Sequence, residues 1–386
     1  MKTVFITSAM VTVLLIANLP VMAAEPLFVE SVVPIAVQPI SQSKAVIWYD
    51  DFDGEIRNYG ETSGPLCDTE SYGGNGKSLL QFYAKGEQGT GNRKVFFGDS
   101  PMRNSVRRGE KFDEVYWRMY VKHHHGWTGG GPDKLSRATT LVNPRWSQGI
   151  IAHVWSAGEV LTLDPATGIR DGVVRTTRYN DFSNLRWLGN KPTAQSRIFS
   201  TENSGRWVCI EARAKLNTPG EKDGQFQLWI DGRLEAERTT LDWRGTWDEK
   251  GINAVFLEAY WNNGSPIDQS RYVDLFVIAT EPIGPVVVPQ TPTFSRTRSN
   301  DTESQQWFVE VATESGEVVW QSKALADSVF QATVDTKHGT FCGSLDGKTQ
   351  LAPDTSYDFR LRRENSTWSP YHQNVKTETA VSRVTL

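Results

Sequence analysis

Several stretches of the chain alternate apolar and polar residues with the period of two that a half-buried strand requires. In the run 115–122, Val115, Trp117, Met119 and Val121 share one face, and Tyr116, Arg118, Tyr120 and Lys122 share the other. The run 150–155 sets Ile150, Ala152 and Val154 against Ile151, His153 and Trp155. The run 207–216 sets Val208, Ile210, Ala212, Ala214 and Leu216 against Cys209, Glu211, Arg213 and Lys215. Phe226, Leu228 and Ile230 oppose Gln225, Gln227 and Trp229, while Val255, Leu257 and Ala259 oppose Phe256, Glu258 and Tyr260. The segments between are turn chemistry: Asn217-Thr-Pro-Gly220, Asp223-Gly224 and the hairpin dipeptide Asp231-Gly232. No stretch carries a sustained helical period, so the pattern predicts an all-β sandwich or jelly roll.

Composition agrees with short strands and many turns: the 386 residues include 14 Trp, 32 Gly and 18 Pro. A net charge of −4 lacks the basic excess of a phosphate-binding surface, so nucleic acid is not an expected partner. Three cysteines, Cys67, Cys209 and Cys342, can form at most one bridge, and the fold must rest on its core. The N-terminus joins Lys2, an apolar run to Leu19 and small residues at Ala23 and Ala24, the pattern of a signal peptide over 1–24. Asn18 and Pro20 break that run below the ~20 residues needed to span hydrocarbon, and no later segment comes closer. The expected location is therefore secreted, periplasmic or extracellular, with no transmembrane segment once the leader is removed.

What remains suits two domains at about 100 to 200 residues each. The segment EPIGPVVVPQTPTFS, 281–295, holds four prolines, which predicts an extended spacer with few contacts, open to protease. It separates a large domain, 45–285, from a small one, 291–386, with the linker at 286–290. In the small one Leu351, Pro353 and Tyr357 have the spacing of a tyrosine corner. Together with Trp307, Trp320, the Tyr357-Phe359-Leu361 alternation and Trp368-Ser369, this segment resembles an immunoglobulin-like, fibronectin type III β-sandwich, which says nothing about chemistry.

If the large domain's strands are neighbours, their second faces unite Trp and Tyr platforms with Arg, Glu, Gln and one His. Sugar rings stack on aromatic planes and their hydroxyls need fixed donors and acceptors, so such a face suits carbohydrate. A solvated outer sheet with ordinary cross-strand ion pairs is the bland alternative.

The run RWVCIEARAKLNTPGEKDGQFQLWIDGRLEAE, with DKLSRATT, HVWSAG, AVFLEAYWNNGSP and SRYVDLFVIATEPIG, resembles the concanavalin A-like jelly roll of alginate- and glucuronan-type polysaccharide lyases. The likeness covers about residues 45–285 and implies an acidic polysaccharide as partner. In DKLSR the Lys-Leu of the lyase pattern is present, but the Pro-Gly that follows it there is replaced by Ser136-Arg137.

Eliminating a polyuronate requires a cation to neutralise the carboxylate, a base for the C5 proton and an acid for the leaving oxygen. Arg118, Arg213, Lys122 and Lys134 are candidates for the first, and Tyr120, Tyr260 and His153 for the others. Parity places Arg213 and Tyr260 on the same face as Glu211 and Glu258. The candidate catalytic set is Arg213, Tyr260, His153 and Lys134; the candidate substrate-binding set is Arg118, Tyr120, Trp155, Glu211, Gln227, Trp229 and Glu258. A glycoside hydrolase would need two carboxyls ~5 to 9 Å apart, for which Glu211 and Glu258 are the attractive pair. Against it, Glu211-x-Arg213-x-Lys215 stands where such hydrolases carry Glu-x-Asp-x-Glu. The same fold without chemistry would be a lectin-like surface protein. His123-His124-His125 alternate in direction along a strand and do not converge on one metal. Asp51, Asp53 and Asp274 are candidate ligands for a structural calcium ion, and no cofactor is otherwise required.

Overall fold

The computed structural model describes residues 32–34, 44–55, 57–74, 76–296, 306–369 and 373–378, and the expected leader over 1–24 lies outside them. The chain is all-β, with helix confined to three-residue turns among the described residues. Two large sheets form the sandwich of the first part. The front sheet runs in the order Arg186–Trp187, Val160–Thr167, Gln148–Ala157, Asp133–Leu141, Ala254–Trp261, Arg93–Phe96, Glu61–Thr62. The back sheet runs Arg233–Leu241, Gly224–Ile230, Trp207–Lys215, Glu114–His123, Gln269–Ala279, Ser78–Tyr83, Leu66–Cys67, with Val46–Asp50 also paired to Gln269–Ala279.

The apolar faces meet between the sheets, as alternation requires. Val208, Ile210, Leu228 and Leu257 are all core, together with Trp117, Phe226 and Trp243. At about 25 cal/mol per Å² and roughly 200 Å² per ring, each such aromatic is worth on the order of 5 kcal/mol before entropy is counted. A polar link crosses the core: the Trp117 indole donates to Ser136 Oγ at 3.0 Å, one sheet to the other.

The turn motifs turn out to be scaffolding. Asn217 is buried, accepts from the backbone of Trp243 and Arg244 at 2.8 and 3.0 Å, and donates to Glu221 O, so it staples two loops together. Asp231 and Gly232 have φ of 48° and 78°, the pair of positive values of a type I′ hairpin turn, and Asp231 also accepts from Cys209 N. All three cysteines are free.

The C-terminal part is a second sandwich. A six-stranded sheet, ordered Val287–Val288, Gln373–Thr377, Ser356–Arg363, Trp307–Thr313, Val318–Ser322, Gly339–Phe341, faces a three-stranded one made of Val32–Pro34, Thr293–Arg296 and Gln331–Thr333. Phe294 packs on Trp307, Trp320 and Phe359 between them. The Tyr357 hydroxyl accepts from Ala352 N at 3.1 Å, the tie expected of a tyrosine corner.

The Pro-rich segment is packed, which corrects the expectation of an open spacer. Val286 and Val288 are fully buried, and Val287–Val288 pairs in parallel with Gln373–Thr377. Their core also takes in Tyr72, Tyr120, Trp207, Cys209 and Leu275 from the first part, so the two sandwiches share a hydrophobic seam. Prolines excluded the segment from central sheet positions, but its three consecutive valines carried enough apolar surface to bury it.

Candidate functional site

The polar faces do not combine as parity alone suggested. The strands carrying Arg118, Tyr120, Glu211, Arg213, Gln227 and Trp229 all belong to the back sheet, whereas those carrying Lys134, His153, Trp155, Glu258 and Tyr260 belong to the front sheet. Two sheets packed face to face turn their outer surfaces away from each other, so the first six residues are on the opposite side of the molecule from the other five. Within each strand the register is right: Trp229 is half-buried and points away from the core.

Three of the six are consumed by the seam. Arg118, fully buried, donates to Gly284 O and Leu275 O at 3.2 and 3.3 Å. The Tyr120 hydroxyl accepts from Val286 N at 2.9 Å, and Glu211 accepts from Ile283 N and Gly284 N at 2.9 and 2.6 Å. These residues anchor the C-terminal part and are not placed to meet a polymer. Glu211 and Glu258, on different sheets, cannot form the pair a hydrolase needs. Arg213 lies in a surface network, 2.7 Å from Glu114 and bonded to Gln225 and Gln227 at 2.7 and 2.6 Å.

The metal expectation finds no coordination geometry. Both oxygens of Asp274 accept backbone donors, Tyr72 N at 2.7 Å and Leu275 N at 2.6 Å, while Asp53 accepts from Lys77 N and Asp51 from Asp53 N. Among the described residues no group of three or more His, Cys, Asp or Glu side chains is arranged to hold a metal ion. His123 packs between the rings of Trp127 and Phe199.

The front sheet gathers the remaining candidates into one constellation. Hydrogen-bonded registry aligns Glu61, Lys94, Phe256, Arg137, His153 and Asp164 in a row across six strands. A second row aligns Tyr260, Lys134, Trp155 and Thr162. Two bulges make this possible. The register slips between Lys134 and Ser136 on one strand and between Leu257 and Tyr260 on its neighbour. With Leu135 and Ser136 both turned inward, Lys134 and Arg137 emerge on the same face although they are an odd number of positions apart. Carbonyls freed at the bulges are not left bare: Arg271, fully buried, reaches from the back sheet to donate to Glu258 O and Lys134 O at 2.7 and 3.1 Å. Its own charge is matched by Asp133 at 2.5 Å.

At the centre, Arg137 Nη2 is 2.6 Å from Glu258 Oε1, and both side chains are buried. The Arg137 guanidinium also bonds the Tyr179 hydroxyl and lies over the rings of Tyr179 and Phe256. His153 Nε2 is 3.2 Å from Glu258 Oε2, within ion-pair range but not aligned for a hydrogen bond, and His153 Nδ1 has no hydrogen-bond partner among the described residues. Burial pushes the His153 imidazole down to about 4 despite the pull of Glu258, so it is neutral at neutral pH. Burial works against ionising Glu258 as well, but Arg137, His153 and Lys134 together hold its carboxyl well below the usual carboxylate range. Lys134 is lowered by burial, and its ammonium sits 4.1 Å from the centre of the Tyr260 ring. Gln88 donates to the Tyr260 oxygen at 2.7 Å. That leaves the phenol's own proton free for another acceptor.

Loop residues frame the constellation. Asp181 accepts from Thr177 N, Ser183 Oγ and Asn184 Nδ2, fixing a tight loop that holds Tyr179 against Arg137. Lys94 sits over Trp146, Tyr179 and Phe256 and pairs with Glu61 at 2.8 Å. Sequence reasoning placed Lys134, His153, Trp155, Glu258 and Tyr260 but missed Arg137, Tyr179, Lys94 and Gln88. Only the replacement of Pro-Gly by Ser136-Arg137 marked the first, and the others reach the site from irregular segments or from the short strand Arg93–Phe96.

No family model matches the chain, and no curated protein matches it. Solved structures similar to it include the endo-β-1,4-glucuronan lyase of the fungus Trichoderma reesei, with TM-score 0.42 and 13% identity, covering 61% of this chain and 96% of that one. The PL-14 alginate lyase of Aplysia kurodai is similar with TM-score 0.38 and 15% identity over 61% of this chain and 99% of that one. An alginate lyase from a Chlorella virus is similar with TM-score 0.39 and 14% identity over 57% and 90%.

Proposed function

We propose that this protein binds an acidic polysaccharide across its front sheet and cleaves it by β-elimination, as a polysaccharide lyase acting on a uronate-containing polymer. The observation that carries this reading is the Lys134–Tyr260 pair: a cation held against a phenol whose oxygen is already bonded by Gln88. In this reading Lys134 neutralises the sugar carboxylate, which acidifies the C5 proton. Tyr260 relays the proton at the scissile bond: its hydroxyl proton passes to the leaving oxygen as the bond to that oxygen breaks, its phenol oxygen takes the C5 proton in exchange, and the electrons of the C5–H bond form the C4–C5 double bond. His153, sealed beside Trp155 with ring centres 5.0 Å apart, and the Arg137–Glu258 pair are positioning residues that fix the floor of the site.

The fibronectin type III-like character of the C-terminal part, secretion through the N-terminal leader and an acidic glycan as partner belong to the same proposal. They rest on the tyrosine-corner tie, the Lys2-to-Ala24 pattern and the front-face cations respectively. A second reading, a glycan-binding protein without chemistry, is favoured by one feature: Glu258 already neutralises Arg137.

Ultraviolet absorbance of the unsaturated product, followed on alginate, glucuronan and related polymers, tests the lyase. Tyr260→Phe should lower turnover by about 10²- to 10⁴-fold while binding persists, and Lys134→Ala should lose both. Unchanged turnover in Tyr260→Phe would remove the phenol from the mechanism. Binding without any unsaturated product from the parent protein would establish the second reading.

A further inference from the structure

Beyond the reacting pair, the front sheet carries a second charged and aromatic cluster that the elimination does not use. Lys191 sits between the rings of Trp155 and Trp187, 5.4 and 5.6 Å from their centres, and pairs with Asp164 Oδ2 at 2.8 Å. Asp164 is buried, and among the described residues its second oxygen, Oδ1, has no hydrogen-bond partner. Across the strand pair it faces His153, whose Nδ1 is likewise buried and unpartnered. An unmet buried acceptor costs about 1 to 3 kcal/mol, so its persistence beside an open aromatic shelf points to a ligand that supplies the donor. Trp187 is 40% exposed and the Lys191 side chain 46% exposed, so both reach solvent while Asp164 does not.

The three kinds of group each match one part of a uronate residue. An exposed indole takes the C–H face of the ring, an ammonium takes the carboxylate, and a buried carboxylate oxygen beside an imidazole takes a hydroxyl. Asp164 is two strands from Lys134, roughly 10 Å at about 4.8 Å per strand spacing. One sugar cannot span both positions. We infer that Trp187, Lys191, Trp155 and Asp164 form a separate binding subsite for a second uronate residue of the same polymer, so that affinity depends on chain length. This rests on the reading of the front sheet as an acidic-glycan site.

Titration calorimetry with linked oligouronates from dimer to hexamer tests it, using the full chain carrying Tyr260→Phe so that cleavage does not consume the probe. Lys191→Met and Trp187→Ala should each weaken the hexamer about tenfold and leave the dimer unchanged. Lys191→Arg should restore most of the hexamer affinity. Trp187→Ala removes an exposed ring and leaves the Asp164–Lys191 pair in place, so it reads the subsite even where Lys191→Met perturbs folding. Equal effects on dimer and hexamer, or none on either, would overturn the subsite and leave the central site standing. No binding of any oligouronate by the parent protein would overturn both.

Discussion

Arg137 and Glu258, on adjacent strands of the front sheet, pair at 2.6 Å with their side chains only 2% and 6% exposed. At that depth a lone charge is far more costly than the pair is worth, because neither water nor another carboxylate replaces the lost partner. Glu258→Leu should therefore destabilise the protein by about 3 to 5 kcal/mol in urea unfolding. The double variant Arg137→Met, Glu258→Leu should be more stable than Glu258→Leu alone. A double variant that is no more stable than the single one would show that the cost lies in packing and not in the orphaned guanidinium.

His153 predicts a pH dependence whose sign follows from its depressed affinity for protons. Folded, it stays neutral down to about pH 4; unfolded, it protonates near its ordinary value of 6.5. Between those values the unfolded chain holds a proton that the folded chain does not, so stability falls as pH drops through the window, by at most about 3 kcal/mol. Urea unfolding at intervals from pH 7 to pH 4 should show a shallower decline for His153→Gln than for the parent. Parallel declines would mean that His153 is already protonated in the folded state.

Arg213→Ala is expected to leave uronate turnover within about twofold of the parent and to cost no more than about 1 kcal/mol, because its ion pair with Glu114 is a partly exposed one on the back sheet. The product assay and urea unfolding read the two halves of that statement. A large loss of turnover with intact stability would return Arg213 to the reaction and require the polymer to contact the back sheet.

Arg213 also shows how far the sequence could be read. Period two separated core from surface correctly for Arg213, Trp229, Leu228, Leu257 and Tyr260, because a pleated strand fixes which side chains share a face. It contained nothing about which strands share a sheet, and in a sandwich every strand has an outer face. The sheet order is set by long connections and core packing, so Glu211 and Glu258 could look like neighbours and lie on opposite sides. Arg137 was hidden for a different reason. Strict alternation puts it opposite Lys134, and only the bulge at Leu135–Ser136, stabilised from behind by Arg271, brings the two cations together. Bulges break parity at the site, where side chains are re-aimed. Tyr179 and Gln88 come from irregular segments with no period to read.

Four prolines made 281–295 look open, yet Glu211 accepts two consecutive backbone N–H groups, from Ile283 and Gly284, and Tyr120 accepts the next available one, from Val286. A protease must draw several residues of extended backbone into its cleft, which this segment cannot supply while those bonds and the burial of Val286 and Val288 hold. Limited proteolysis followed by mass spectrometry should find no early cut between 281 and 292 in the parent. Glu211→Ala removes both acceptors, leaves two N–H groups unmet and strips Arg118 of a neighbouring carboxylate, so cleavage there should become the first event. Tyr120→Phe, which loses one bond but keeps its packing on Tyr72, should lie between the two. Rapid cutting of the parent in this stretch would show that the two sandwiches separate in solution, and the Glu211 bonds would then no longer account for how they are joined.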